Sequence, residues 1–478
     1  MRYFGKMAAK EKQPVDSFNS TSNLTSNTGF QSTLSIDSKD IVSTEKAYNP
    51  FEHRQVEHPN STIGSTLHLL KACLGSGILA MPSAFKNAGL ATGVLGTLIA
   101  GLICTHAVQM VVKTSQEVCV VAKKPSMSFA ETCGAAFTYG PKKLQRWGGF
   151  VKTLIDYSMA ATYISVLCVY VVFIGSSVKE VMDVYYPQYQ ISIRMYCILT
   201  LVPLILICQI RNLKYLVPFS AMANFLIVVV FAVTMYYVFV DLPPLSDREM
   251  VASVSQWPLF LSTVIFAMEG IGVVMPVENE MAKPQHFLGC PGVLNVSMLI
   301  VITLYGVVGF FGYVQFGDAV KGSITLNLPE DQWVAQSAKL LMAVVMYFSF
   351  ALQFYVPMEM ITRVLLKKSK FENILQISIR TILVTISVAF AVAFPNLELV
   401  ISLVGAIFFS TLGLLIPAVI NTVYLWDRDM GKFNYVLIKN CIIIIISIIA
   451  LVSGSYISII GMIHDYAGSP HDNSTLTY

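Results

Sequence analysis

The chain has 478 residues, 55% of them apolar and only 13% charged, with a formal net charge of +4 and a mean hydropathy of +0.64. Soluble globular domains carry roughly 25% charged residues, so this chain cannot coat itself for water; a soluble enzyme, a disordered scaffold and a disulfide-built secreted module are excluded. The mild positive charge gives no reason to expect nucleic acid as a partner, and an all-α integral membrane protein remains.

Residues 1–58 differ from the rest. Ser17–Thr33 is dominated by Ser, Thr and Asn without apolar periodicity, so it cannot bury enough surface to fold, and it lacks the basic-then-apolar design of a cleavable signal. A disordered cytoplasmic tail is expected. Its Tyr48-Asn-Pro-Phe51 fits a tyrosine-based sorting signal (Tyr-x-x-bulky apolar), which makes Tyr48 and Phe51 sorting candidates.

The domain expected next, 59–465, is membrane-embedded. From Ile63 onward, apolar stretches of the length a bilayer-spanning helix needs recur eleven times: about 63–84, 88–112, 148–175, 191–208, 216–240, 258–279, 292–316, 335–360, 373–394, 397–424 and 436–462. Only Pro395-Asn396 separates the ninth from the tenth. Residues 466–478 form a short outer tail. With the N-terminus inside, the expected inner loops hold fifteen Lys and Arg between Lys113 and Lys432, against Lys86, Lys179, Arg194, Arg248 and Lys321 outside. The positive-inside rule favours that orientation. The sequon at Asn473 is then extracellular or lumenal and open to glycosylation.

Nine cysteines is an odd number, and Cys73, Cys104, Cys168, Cys197, Cys208 and Cys441 lie in apolar runs. They read as small hydrophobes rather than bridge partners. No zinc spacing appears, so no metal or cofactor is expected.

Two spans are interrupted near their middles, at Gly75-Ser-Gly77 and at Gly270-Ile-Gly272. Glycine lowers helix propensity by about 1 kcal/mol, and unwound backbone survives at membrane depth only inside protein or beside a cavity. The breaks lie five spans apart, so the two helices run in opposite directions. An inverted repeat of spans 1–5 (about 63–240) and 6–10 (about 258–424), followed by helix eleven (436–462), requires that. Paired breaks at corresponding positions point to a transporter's binding site. Half-helix N-termini suit a carboxylate and half-helix C-termini an ammonium group, so an amino acid is the natural occupant. Gly75, Ser76, Gly77, Ile78, Phe266, Glu269, Gly270 and Gly272 are the expected binding residues; helix packing is the other use such glycines have.

Ionisable groups inside spans are functional candidates. His68 stands seven residues before Gly75, on the same helix face, and its ordinary pKa near 6.5 suits proton loading. It lies about 10 Å short of the break at 1.5 Å per residue. Glu269 is the second proton candidate, or else a partner of Lys71. Lys152 and Asp156 are four apart and read as an internal pair, His106 reads as structural, and Glu278, Glu280, Glu359 and Glu398 lie near span ends, where most read as solvated. Phe354 and Tyr355 can gate a pocket or simply pack.

Five motifs carry a resemblance. They are Leu67-His-Leu-Leu-Lys-Ala-Cys-Leu-Gly-Ser-Gly-Ile-Leu-Ala-Met-Pro82, Phe266-Ala-Met-Glu-Gly-Ile-Gly-Val-Val-Met-Pro-Val-Glu-Asn279, Gly322-Ser-Ile-Thr-Leu-Asn-Leu-Pro329, Ala351-Leu-Gln-Phe-Tyr-Val-Pro357 and Leu399-Val-Ile-Ser-Leu-Val-Gly405. Over roughly residues 60–465 the chain resembles the proton-coupled amino-acid transporters of the amino acid/auxin permease group, most of all the insect members. That resemblance implies a 5+5 inverted-repeat, broken-helix (LeuT-like) fold of eleven transmembrane helices. It also implies symport of small neutral amino acids with protons at the plasma membrane or out of lysosomes. The family's proton-coupling histidine in helix one matches His68. Vertebrate members carry an outer disulfide that this chain lacks, since Ser176–Ile191 and Leu328–Trp333 contain no cysteine.

The function expected is therefore a multi-pass symporter in the plasma membrane or the late endosomal or lysosomal membrane, with amino acids, protons and the bilayer as its partners. The alternative is an amino-acid sensor whose tail docks growth-signalling or sorting partners. A membrane-embedded enzyme lacks any nucleophile–base pair.

Overall fold

The computed structural model describes residues 48–57, 59–73, 75–268, 270–362, 372–428 and 430–467. Among them the chain is helical throughout, with a single isolated bridge between Asn60 and Met281. The first helices are α1 (Thr62–Cys73), α2 (Ser76–Ala88), α3 (Leu90–Ala122), α4 (Phe129–Thr138) and α5 (Gly148–Tyr185). They are followed by α6 (Ile193–Leu199), α7 (Leu201–Cys208), α8 (Leu213–Phe239), α9 (Trp257–Ala267), α10 (Ile271–Asn279) and α11 (Val293–Phe316). The last are α12 (Trp333–Ile361), α13 (Glu372–Ala393), α14 (Leu397–Val404), α15 (Ile416–Leu425) and α16 (Tyr435–Tyr466).

Nine described segments are long and apolar enough to cross a membrane, and α1 with α2 makes a tenth if the bent pair is one span. The stretch expected as span four, 191–208, is the shorter Ile193–Cys208, divided at Thr200 into α6 and α7. Helices α13 and α14 are separate elements, because the Asn396 side chain accepts the Leu399 N–H at 3.3 Å and starts a new helix. Span ten is not one regular rod: between α14 and α15 the chain makes wide π-type turns at Gly405–Phe409 and Thr411–Leu415.

Helix α2 ends where Gly89 takes a φ of +83°. A Cβ there would stand 2.7 Å from the Met250 oxygen and Ala252 nitrogen, so glycine lets the chain turn against that loop. The core lies where α5 and α12 pack on each other and where α2 packs on α9 and α11. Helix α16 is peripheral. Its exposed Ile442, Ile445, Ile449 and Val452 recur at helical spacing and form an apolar outward stripe, the surface a bilayer solvates. Seven of the nine cysteines are buried.

Two expectations about charges need correction. Glu278 is not solvated: it is 1% exposed, because Arg54 reaches it from the N-terminal segment. Glu398 is partly buried and accepts Lys86 at 2.9 Å and the Asn87 amide at 2.6 Å. Lys152 reaches Glu131 at 3.6 Å, across the α4–α5 contact, and Asp156 borders a cavity.

Candidate functional site at the two helix breaks

The first break bends α1 against α2 by 53°. Cys73 ends α1, the Gly75 N–H turns back to the Cys73 oxygen at 2.8 Å, and α2 begins at Ser76 without a side-chain cap. At the second break α9 ends at Ala267, and the Val273 and Val274 N–H groups close on the Gly270 oxygen at 2.9 Å to start α10. Leu74 and Glu269, the latter an expected binding and proton-carrying residue, lie outside the described residues.

The two breaks meet in a crossed arrangement. A Cβ on Gly77 would fall 2.7 Å from the Ala267 Cα and 3.2 Å from its oxygen, so the start of α2 abuts the end of α9. A Cβ on Gly270 would lie 3.7 Å from the Cys73 sulfur, so the start of α10 abuts the end of α1. Two helix C-termini and two helix N-termini therefore converge. Each C-terminus presents carbonyls and each N-terminus N–H groups that have no partner within their own helix, with partial charges to match. The chemistry is dual: an acceptor cup for a cation beside donors for an anion.

The expected residues are placed as follows. Gly75 faces open space. Ser76, Gly77 and Ile78 are buried in the first turn of α2. Phe266 is buried in the last turn of α9, its ring 5.4 Å from that of Phe409 in the π-type segment. Gly272 begins α10 beside Tyr163 of α5, whose hydroxyl lies 2.5 Å from where a Cβ would stand. His68 is on α1 but exposed, away from the buried Ser65, Leu69 and Cys73. Phe354 is a core residue parallel to Phe350 at 6.3 Å. Tyr48 stacks on His53 at 4.5 Å, Phe51 lies under the Arg54 guanidinium at 5.2 Å, and Asn473 is outside the described residues.

Cavities flank the breaks. One of about 290 Å³ is bordered by Met127, Glu131, Asp156, Gly272, Met275 and Met360. The other, about 100 Å³ and apolar, is bordered by Gly75, Ile78, Phe231, Leu304 and Met342. The first opens near the short helix α4, whose Ser128 and Glu131 form a reciprocal cap. Burial works against the Glu131 carboxylate, but the Ser128 N–H, Lys152 and the Ser128 hydroxyl outweigh it and hold the group below the usual carboxylate range.

Two parts of the site have no forerunner in the sequence reading. Tyr305, fully buried on α11, hydrogen-bonds the Cys73 carbonyl and reaches the Ala267 carbonyl at 3.1 Å. It stands in an apolar run, and its one signal is that a buried hydroxyl needs an acceptor. The other is a clamp. Arg54 donates to the Pro125 and Glu278 backbone oxygens at 2.9 Å and to both Glu278 carboxylate oxygens at 3.0 and 3.1 Å, and Gln116 adds a bond to Glu278 at 2.9 Å. Asn60 exchanges backbone hydrogen bonds with Glu280 and Ala282 at 2.8 and 2.9 Å. Of the expected tail, Arg54 is thus held at the far end of α10, where the guanidinium finds a fork of acceptors, and the turn Pro50–His53 packs on α3.

The sequence pattern of transmembrane amino acid transporter proteins matches residues 58–460. The chain is 40% identical over 423 residues to the proton-coupled amino acid transporter-like protein pathetic of Drosophila melanogaster, covering 88% of this chain and 89% of that one. It is 27% identical over 328 residues to vacuolar amino acid transporter 3 of Saccharomyces cerevisiae, covering 67% of this chain and 44% of the yeast protein.

Proposed function

The chain belongs to the family of transmembrane amino acid transporter proteins, and we propose that it moves small neutral amino acids together with protons by alternating access. The observation that carries this reading is the meeting of two helix C-termini and two helix N-termini at the crossed breaks. The substrate ammonium sits against the carbonyls of Cys73 and Ala267, and its carboxylate against the first-turn N–H groups of α2 and α10. The small apolar cavity beside Gly75 takes the side chain, and its size favours residues such as alanine. The name of the fruit-fly relative supports proton coupling.

In this proposal the fold is a 5+5 inverted repeat plus one helix, with eleven spans. The short Ile193–Cys208 pair serves as span four, and residues 1–58 and 466–478 flank the transporter domain. The end bearing Arg54 is cytoplasmic, His68 loads the proton, Glu269 assists it, and Asn473 on the opposite end is glycosylated. The protein works at the plasma membrane or in endolysosomal membranes, where the name of the yeast relative supports an internal site.

Reconstituted vesicles should accumulate labelled alanine when the outside is acidified in sodium-free buffer, and a protonophore should abolish the accumulation. Uptake that needs sodium and ignores pH would refute the coupling. A second reading, an amino-acid sensor, is favoured by the bonds of Arg54 and Asn60 to the end of α10 and the turn after it, which join the N-terminal segment to the helix that starts at the second break. Tight alanine binding with negligible flux would select it.

A further inference from the structure

The substrate reading above assigns the ammonium group to carbonyls on two different helices, and something must hold those carbonyls at a workable separation. Helices α1 and α9 are far apart in sequence, and each stops in mid-span. The Tyr305 hydroxyl stands between their last carbonyls, bonded to Cys73 and 3.1 Å from Ala267. The phenol carries one proton, so it donates to one carbonyl at a time, while the Cys73 oxygen also accepts the Gly75 N–H at 2.8 Å. An ammonium group, with three protons, bonds both carbonyls at once.

Helix α11 itself is fixed. It packs on α1, α2 and α3. Gly309 faces the Phe85 ring and Gly312 faces Pro82, each too close to admit a Cβ. The tyrosine is thus a short strut on a helix that is locked to the second half of span one.

We propose that Tyr305 is a positioning residue that ties the C-terminal ends of α1 and α9 into a single carbonyl cup for the substrate's ammonium group. The proposal rests on the substrate reading above but makes a structural claim of its own. Tyr305 acts through the main chain of Cys73 and Ala267 and takes no part in holding the carboxylate or the side chain.

The native Cys73 permits a test independent of transport. Because a Cβ on Gly270 would lie 3.7 Å from the Cys73 sulfur, a Gly270→Cys variant brings two sulfurs within bridging reach. Its oxidative cross-linking reports the spacing of the break. Tyr305→Phe keeps the ring and removes only the hydroxyl. In the Gly270→Cys background it should slow cross-linking at least fivefold; an unchanged rate overturns the tie. In the otherwise native protein, Tyr305→Phe should raise the KM for alanine about tenfold with little change in maximal rate. It should also narrow the preference for alanine over N-methylalanine, because a loosened cup no longer counts ammonium protons. An altered cross-linking rate with an unchanged KM and unchanged preference overturns the cup. If neither protein transports or binds alanine, the substrate reading fails, and with it the cup, while cross-linking still decides the tie.

Discussion

Arg54→Ala removes the cation from a pair whose side chains are only 7% and 2% exposed. Arg54 supplies two of the three side-chain hydrogen bonds that satisfy the Glu278 carboxylate, and Gln116 supplies the third. Deleting one partner of a buried ion pair costs about 3–5 kcal/mol, since the other charge stays buried and uncompensated. Opening the clamped end of α10 lets water relieve Glu278, so the closed arrangement loses about 3 kcal/mol relative to the open one. At 1.4 kcal/mol per decade that is roughly a hundredfold shift. Cys119, at the neighbouring end of α3, is 1% exposed and sits in the field of both Arg54 and Glu278, so it reports the opening. With the exposed Cys290 and Cys441 replaced by serine, maleimide labelling of Cys119 in Arg54→Ala should accelerate at least tenfold. Glu278→Gln should act in the same direction. An unchanged labelling rate would refute the clamp as a barrier to opening.

Gly77→Ala forces a methyl to within 2.7 Å of the Ala267 Cα, and a backbone neighbour cannot yield cheaply. A destabilisation of about 1–3 kcal/mol and loss of alanine binding are expected in thermal-shift titrations, whereas Gly75→Ala, whose Cβ would meet no atom within 4 Å, should leave the melting temperature of the unliganded protein unchanged. The lowered carboxyl of Glu131 contributes stability that is complete above its ordinary pKa near 4.3 and fades as pH falls through its folded value. The melting-temperature gap between native protein and Glu131→Gln should therefore hold from pH 7 to 5 and narrow only as the pH falls below the ordinary carboxyl value. His68→Ala should flatten the pH dependence of substrate-induced currents while leaving alanine affinity within about twofold, in line with its exposed place on α1.

Both helix breaks were legible from the sequence, because Gly75-Ser-Gly77 and Gly270-Ile-Gly272 interrupt long apolar runs at matching depths five spans apart. Gly77 proved to matter for a reason composition cannot state: it is the contact between two spans. The clamp was not legible. Arg54 and Glu278 are 224 residues apart, and a carboxylate at a span end reads as solvated unless the cation that covers it is known. Tyr305 was hidden likewise, since a tyrosine among Leu, Val and Ile carries no periodic signal, and its two acceptors come from main chain. The division of Ile193–Cys208 and the π-type turns after Val404 escaped because apolar run length says how much helix there is, not how regularly it winds. Gly405 hints at the second of these: a Cβ there would fall 3.0 Å from the Phe266 Cβ, a crowding visible only once α9 is in place.

Binding of three ligands to the purified protein by titration calorimetry tests most directly whether main chain at the two breaks grips both ends of an amino acid. They are alanine, its amide, which lacks the carboxylate, and propionate, which lacks the ammonium. Hydrogen bonds to charged groups contribute about 1.5–3 kcal/mol each, so each truncated ligand should bind at least tenfold more weakly, and lengthening the side chain by one methylene should matter less. A truncated ligand that binds as tightly as alanine would contradict recognition by the paired breaks.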